Sequence, residues 1–268
     1  MGEDQTPLVT VVSVTFNDLA GITRTRDSVA AQTCPNIQHV IVDGASTDGT
    51  GAWLTQLHLT APSCFISEPD RGIYDAMNKG AALAQGELIV FLNGGDTFPD
   101  ANTVSLVVNN WRKQQWQWAY GITVLRDVDG NVSRIHQMAP FSKVRLGLGL
   151  AAVPHQALWM RTDFFTEIGG FRVDSGVSAD MDLCWKAAER AEPYLFSEVL
   201  AYAEEGGVSA HQSPGYYARA MRKNVKHYGS SVTGNKAVDA VASAGVVGLT
   251  ALVQLTPQTW SRLQRRGR

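Results

Sequence analysis

Cysteine is scarce in this 268-residue chain. Cys34, Cys64 and Cys184 are odd in number and lack metal-ligand spacing, which argues against a disulfide framework or a thiolate metal centre and points to a reducing compartment. No basic residue precedes the apolar run in MGEDQTPLVTVVSV, so a secretory signal is not expected and the body reads as cytoplasmic. Internal repeats and low-complexity linkers are missing as well. The first apolar run is not followed by G-x-G-x-x-G, the glycine pattern of dinucleotide-binding dehydrogenases. GASTDGT at 44–50 approaches the phosphate loop G-x-x-x-x-G-K-[ST]. Thr50, however, stands where a lysine must counter the β- and γ-phosphates, and this excludes an NTPase of that type. TFNDLAG, after the first strand, also lacks the arginine and lysine that a sugar nucleotidyltransferase needs there.

What is present is a globular composition, 44% hydrophobic and 18% charged, ample for one sizeable core. LVTVVSVTF is a continuous β-branched run, the pattern of a strand buried on both faces; QHVIVDGAS and ELIVFLNGGD repeat it, and CFISE is a shorter version. Between them GITRTRDSVAAQT, TGAWLTQLH and GIYDAMNKGAALAQ carry helical spacing. Such alternation predicts right-handed βαβ units and a mostly parallel sheet covered on both faces. Farther on, NTVSLVVNNWRKQ predicts a helix, and WAYGITVLRDVDGNVSRIH a hairpin turning at Asp129–Gly130. FTEIGGF predicts a helix end with a glycine stop, and SADMDLCWKAAER a helix with Asp180 near its start.

In an open parallel sheet, ligands bind beyond the carboxyl ends of the strands. TFN (15–17), DGASTDGT (43–50) and NGGD (93–96) each follow a run predicted to be buried strand, so Asn17, Asp43 and Asp96 should share one edge. Singly, aspartate and glycine after a strand are ordinary turn chemistry; three in register imply a site. Asp43 can accept hydrogen bonds from a base N–H or from ribose hydroxyls. Asp96 can hold a hard divalent cation such as Mg²⁺ or Mn²⁺, which in turn neutralises a diphosphate that no carboxylate binds directly.

VSVTFN, VDGASTDGT, DRGIYDAMNKGAALAQGELIVFLNGGD and SADMDL follow one another over roughly residues 8–210. This series resembles the motifs of family 2 inverting glycosyltransferases, in particular the bacterial branch with the signature D-x-G-I-Y-D-A-M-N-K-G. The resemblance implies an α/β fold of the GT-A (nucleotide-diphospho-sugar transferase) type, a mostly parallel sheet with helices on both faces. It implies a transferase domain over 1–210, beyond which the residues read by their own charge and spacing as a basic, amphipathic helical extension over 211–268. It implies that Thr15, Phe16 and Asn17 flank the nucleotide base and that Asp43 holds base or ribose. Asp70, Arg71, Asn78 and Lys79 would line the donor cleft, Lys79 as a partner of phosphate or of Asp70, or else as a solvated surface lysine. NGGD stands where the family has an acidic D-x-D metal motif; Asn93 and Gly95 replace carboxylates, and Asn93, Gly94 and Gly95 border the donor. Asp96 is then the strong oxygen ligand for Mg or Mn, with His211 a further contact to metal or diphosphate. SADMDL makes Asp180 the general base, or alternatively a first-turn acid facing the helix dipole, with Asp182 on a different helical side. PHQALWM resembles the branch's H-Q segment, so His155 and Gln156 would border the acceptor or the sugar, unless His155 is structural. Ile122 stands where relatives often carry aspartate.

The implied chemistry is a single displacement with inversion, in which one ionised carboxylate takes a proton from the acceptor hydroxyl and a metal-bound diphosphate leaves unprotonated. Transfer of a hexose or deoxyhexose in polysaccharide or glycolipid synthesis is expected; the depleted NGGD leaves a catalytically weak nucleotide-sugar-binding scaffold subunit as the alternative. A processive synthase is not expected, since neither a membrane channel nor Q-x-x-R-W is present. From residue 206 onward nine Lys/Arg meet a single acid, Asp239, so the tail carries +8 and the first 205 residues −10. Within it, AVDAVASAGVVGLTALVQL approaches membrane-spanning length, yet Asp239, Ser243, Thr250 and Gln254 lie near one helical side. Four readings follow: a peripheral helix at the inner membrane face with Trp260 and the terminal arginines on anionic headgroups, a helix packed on the domain, a dimer contact, or, least favoured by the polar side, a membrane span. The expected partners are a nucleotide-diphosphate sugar donor, a hydroxyl acceptor, lipid-linked in one version, a membrane surface and a second copy of the chain; nucleic acid is not among them.

Overall fold

The computed structural model describes residues 9–127, 129–205 and 215–247. The chain runs β1 (Val9–Thr15), α1 (Leu19–Ala30), β2 (Ile37–Asp43), α2 (Thr50–Gln56), β3 (Cys64–Ser67), α3 (Ile73–Ala81), β4 (Leu88–Phe91) and α4 (Thr103–Gln114). It continues through β5 (Trp118–Arg126), β6 (Val132–His136), α5 (Lys143–Gly147), β7 (Leu158–Arg161), α6 (Thr162–Glu167), α7 (Ala179–Ala188), β8 (Tyr194–Glu204) and α8 (Tyr216–His227). Two compact units divide these elements: one ends at Phe141 and resumes over Val153–Glu205, and the other takes Ser142–Ala152 and the chain from Gly206 onward.

In the first unit one sheet runs β3-β2-β1-β4-β7-β5-β6, with β8 paired to β5. The four β-branched runs of the first ninety residues form its parallel half, as their alternation with helices predicts: β1 lies between β2 and β4, and β3 flanks β2. The other half is antiparallel through β7, β5 and β6, except that β8 runs parallel to β5. The predicted hairpin is β5–β6, its turn held by Asp127 Oδ1 accepting the Asp129 and Asn131 N–H groups at 3.0 and 2.8 Å. β7 and β8 have no counterpart among the sequence expectations. A four-residue buried run does not distinguish strand from helix, and β8 shows neither strict alternation nor a flanking hairpin turn.

One face of the sheet presents Val9, Val11, Leu88 and Val90 to Val104, Val107, Val108 and Trp111 of α4, joined by Val29 of α1. The other face receives α3. Gly80 of this helix sits so close to β1 that a Cβ there would lie 2.4 Å from Val12 Cγ1 and 3.1 Å from Val42 Cγ2. Beside it Phe91, Phe165 and Phe171 pack with ring centroids 4.8–5.5 Å apart, and Tyr74 joins Phe171 at 5.1 Å. This aromatic cluster fixes the first turn of α3 against the loop that follows α6.

The second unit has its own small apolar cluster, in which Leu148, Ala218 and Val246 are buried and Val232, Ala242 and Val247 pack around them. Residues 236–247 are helical as far as they are described. Their polar side is not the solvent side: Ser243 is buried and Asp239 half-buried, whereas Val238 and Val241 are 50% and 75% exposed. Thr250, Gln254, Trp260 and the terminal arginines lie outside the described residues. No described helix is long and apolar enough to cross a membrane.

Because α3 reaches β1 through a missing side chain, Gly80→Val should destabilise the protein by about 1–3 kcal/mol through overpacking. Urea melts of the variant against Leu83→Ala, on an exposed leucine one turn away, check this.

Candidate active site

The parallel register brings the ends of β1 and β2 level, with Thr15 opposite Asp43, and the turn after β4 joins them through the Gly94 N–H donating to the Val14 carbonyl at 2.9 Å. Asn17, at φ 52°, donates its N–H to Ser46 Oγ at 2.7 Å and accepts the Thr47 N–H on its side-chain oxygen at 2.8 Å. Asparagine tolerates this left-handed conformation better than most residues. Asp48 closes the same seam, accepting the N–H groups of Leu19 and Thr50. The predicted common edge of Asn17, Asp43 and Asp96 is therefore present as a laced pair of loops joined to the turn after β4.

Asp43 itself is fully buried. Its carboxylate accepts from the Ser46 N–H and hydroxyl and, at 2.6 Å, from the Ser67 hydroxyl, so it holds the loop rather than standing open. The open group at this corner is Phe16, 64% exposed. A Cβ on Gly44 would lie 2.9 Å from Asp70 Oδ2 and 3.2 Å from the Phe16 ring, so phenyl face, glycine backbone and Asp70 carboxylate meet around one shelf. Thr15 and Gly94 adjoin it, a Cβ at Gly94 falling 3.2 Å from the Thr15 hydroxyl.

The charges of DRGIYDAMNKG are taken up locally rather than left open. Asp70 accepts the Gly72 N–H at 2.8 Å. Asp75 is buried and accepts both the Arg71 guanidinium at 2.7 Å and the Arg71 N–H; these bonds hold its carboxyl at about 2. Arg71 remains 79% exposed beyond that contact. Lys79 is occupied by Glu68 at 2.8 Å and the Pro69 carbonyl at 2.7 Å, neither Asp70 nor open solvent. Asn78 turns away from the cleft: its amide donates to the Phe171 carbonyl at 2.7 Å and accepts the Phe171 N–H at 3.0 Å, clamping α3 to the loop before α7.

In the NGGD turn, the Thr25 hydroxyl of α1 lies 2.8 and 2.7 Å from the Asn93 and Asp96 carbonyls. Asn93 Nδ2 bonds His155 Nε2 at 2.9 Å, and its Oδ1 is buried without a donor. Burial lowers His155 to about 4, so the ring is neutral. Asp96 is 5% exposed, with no described cation against it; burial pushes its carboxyl up to about 7 despite a hydrogen bond from Gln156 and one from the Glu204 backbone. His155 and Gln156 thus stand directly against NGGD. Glu204, at the end of β8, was not expected here: Gly95, at φ 91°, would bring a Cβ within 2.9 Å of its Oε2, and Arg24 pairs with its other oxygen. Nothing local in AYAEEGG marks this acid; the β5–β8 pairing and the antiparallel bridge of Tyr202 to Thr97 bring it to the turn.

Among the described residues no three His, Cys, Asp or Glu gather to hold an ion; His211 lies outside them. The donor set nonetheless fits a hard divalent cation that draws most of its ligands from phosphate and water, since a buried carboxylate without a counter-charge and an orphaned amide oxygen stand together in one turn.

Asp180 opens α7. Its side chain is half-buried; desolvation raises its carboxyl to about 7, and only backbone N–H groups, that of Met181 at 2.7 Å among them, hydrogen-bond to it. Asp182 differs: it is fully buried and paired with Arg172 at 3.3 Å. A run of direct contacts links α7's loop to the strand-end turns: Asn93 to His155, His155 edge-on to Tyr74 at 6.4 Å, Tyr74 to Phe171, and Phe171 to Asn78.

Residues 10–170 match the family model described as Glycosyl transferase family 2. An uncharacterized glycosyltransferase of Mycobacterium tuberculosis is 35% identical over 78% of this chain and 79% of its own length. A PGL/p-HBAD biosynthesis glycosyltransferase of Mycobacterium bovis is 30% identical over 76% and 79%. The solved mannosyltransferase PcManGT of Pyrobaculum calidifontis, in complex with GDP-Man and Mn²⁺, superposes with a TM-score of 0.60 at 20% identity, over 99% of this chain and 81% of that one. The chain belongs to glycosyl transferase family 2 and has the GT-A fold; it is a glycosyltransferase.

Asp180 and the Asn78 clamp can each be checked by stability. Asp180 binds a proton more tightly folded than unfolded, so its burial destabilises the fold increasingly as pH rises from about 4 to about 7 and by a constant amount above. Asp180→Asn should therefore match wild type in thermal melts at pH 4 and melt higher at pH 8. Asn78→Ala removes both bonds to Phe171 and should cost about 1–3 kcal/mol in urea melts, with faster amide exchange in the loop before α7.

Proposed function

We propose that this protein is an inverting glycosyltransferase that moves a hexosyl or deoxyhexosyl group from a nucleoside-diphosphate sugar to a hydroxyl of a lipid-linked or glycolipid acceptor, acting at the cytoplasmic face of a membrane. The observation that carries the reading is Asp180, a desolvated carboxylate at a helix start with no described cation against it, on the helix whose preceding loop is tied through Phe171 to Tyr74, His155 and the strand-end turn at Asn93. A group with a pKa near 7 combines a useful ionised fraction with real proton affinity at neutral pH, which is what a general base requires. The relative named for PGL/p-HBAD biosynthesis supports a biosynthetic role, and the donor-bound mannosyltransferase supports a nucleotide-sugar donor.

In this reading Phe16 offers its exposed face to the base, with Asp70 and the Gly44 backbone bordering the ribose. Asp43 acts through the loop it holds. Asp96, with Gln156 and Asn93 around it, would hold Mg²⁺ or Mn²⁺, and the bound ion would neutralise the departing diphosphate. His155, neutral and locked to Asn93, orients that turn. Asp180 takes the acceptor proton while the acceptor oxygen attacks the anomeric carbon from the face opposite the diphosphate, so the carbon inverts and no second acid is needed.

Asp180→Asn should lower the transfer rate by about 10²–10⁴-fold while nucleotide binding, read by calorimetry, stays within a few-fold of wild type. The wild-type rate should rise with pH and level off near 7. Loss of nucleotide binding in the same variant, or a rate independent of pH from 5 to 8, would remove Asp180 from this role.

A further inference from the structure

The second unit gathers positive charge to an extent the rest of the chain does not share. Residues 142–152 and 206–268 hold eleven Lys/Arg against the single Asp239, net +10, while the remainder holds twelve against 24 acids, net −12. That one acid is spent inside the unit: Asp239 accepts from the Ser231 hydroxyl at 2.6 Å, the Thr233 hydroxyl at 2.7 Å and the Val232 and Thr233 N–H groups at 2.8 and 2.9 Å. Between α8 and the helix at 236–247 lies a cavity of about 230 Å³, lined by Arg222, Lys226 and Lys236 together with Val232, Ser230, Ser243 and Asp239, whose carboxylate is taken up by the 231–233 loop. Among the described residues no acid forms an ion pair with these three cations.

Apolar groups are exposed on the same unit. Val144, Leu150, Val238 and Val241 are 45–75% exposed, and Val238 and Val241, three residues apart, share one helical face. A helix that turns Asp239 and Ser243 inward with Val246 while leaving Val238 and Val241 exposed carries an apolar strip where a purely aqueous surface would be polar. Uncompensated cations beside exposed aliphatic side chains are the combination that an anionic bilayer rewards through headgroup charge and acyl contact together; a nucleic acid would use only the first.

We propose that the second unit docks on an anionic phospholipid bilayer, with Arg222, Lys226 and Lys236 taking a lipid phosphate at the cavity rim and Val238 and Val241 entering the interface. The inference deepens the membrane-side reading above and rests on it for its purpose, while the transfer chemistry is read out separately.

The test is co-sedimentation of the full chain with phosphatidylcholine vesicles, with and without about one third phosphatidylglycerol, near 0.1 M salt where surface charges are still felt across roughly 10 Å. The proposal expects binding only to the anionic vesicles. It expects Arg222→Gln/Lys226→Gln/Lys236→Gln to weaken that binding roughly 100-fold, and Val238→Ser/Val241→Ser to remove the part that survives high salt. Unchanged thermal melts and nucleotide affinity in both variants would show that the fold and donor site are intact. Equal binding to neutral vesicles would overturn the proposal, as would no vesicle binding, an unaffected triple variant, or tighter binding to a duplex oligonucleotide than to vesicles. A vesicle-free dimer dissolved by the triple substitution would also overturn it, by making the surface a contact between copies.

Discussion

The structure depends on the placement of β1 between two parallel neighbours. Each residue of this strand is buried, and its register to β2 and β4 leaves no freedom for the turns that follow. Slipping the register by one residue would send its side chains to the opposite faces, exchanging the valines that meet α4 for those that meet α3. Hence the polar turns after β1, β2 and β4 meet at one edge whatever their own sequences prefer. The cleft is a consequence of apolar packing several residues away from it.

A second constraint shapes the chemistry. Two aspartates of the proposed site, Asp96 and Asp180, are desolvated and lack a described cationic partner, whereas Asp75 and Asp182, close to them in sequence or space, are paired with Arg71 and Arg172. The arginines go to acids that serve the scaffold. The unpaired acids carry a burial cost that a bound cation or a nearby proton relieves, and a fold retains such a cost where it has a use. Asn93 Oδ1, buried without a donor beside Asp96, belongs to the same pattern.

Much of this was legible in the sequence, for a physical reason. Continuous β-branched runs announce strands buried on both faces, so the edge shared by Asn17, Asp43 and Asp96 could be placed from the residues alone, as could the start of α7 at Asp180. What the sequence conceals is pairing across long separations. Asn78 reads as a cleft residue because it lies one turn beyond Tyr74 and Asp75, but its amide reaches Phe171, 93 residues away. Lys79 meets Glu68 rather than Asp70, and Asp43 is consumed by two serines. Glu204 arrives at the NGGD turn through long-range pairings, β8 parallel to β5 and Tyr202 bridged to Thr97, that no local pattern signals. The helix at 236–247 shows the converse limit: its polar stripe was visible, but which side faces inward is decided by the loop at 231–233 that Asp239 holds.

Transfer by this route requires one geometric relation, that Asp180 faces the reacting carbon of a sugar whose diphosphate lies over Asp96. A crystal structure of Asp180→Asn with an intact nucleotide sugar and Mn²⁺ measures it directly. The predicted result has the substituted side chain on the anomeric face opposite the diphosphate, separated by the width of one acceptor hydroxyl, with Mn²⁺ on the Asp96 carboxylate. A sugar bound with that face toward any other group, or a diphosphate remote from Asp96, would contradict it.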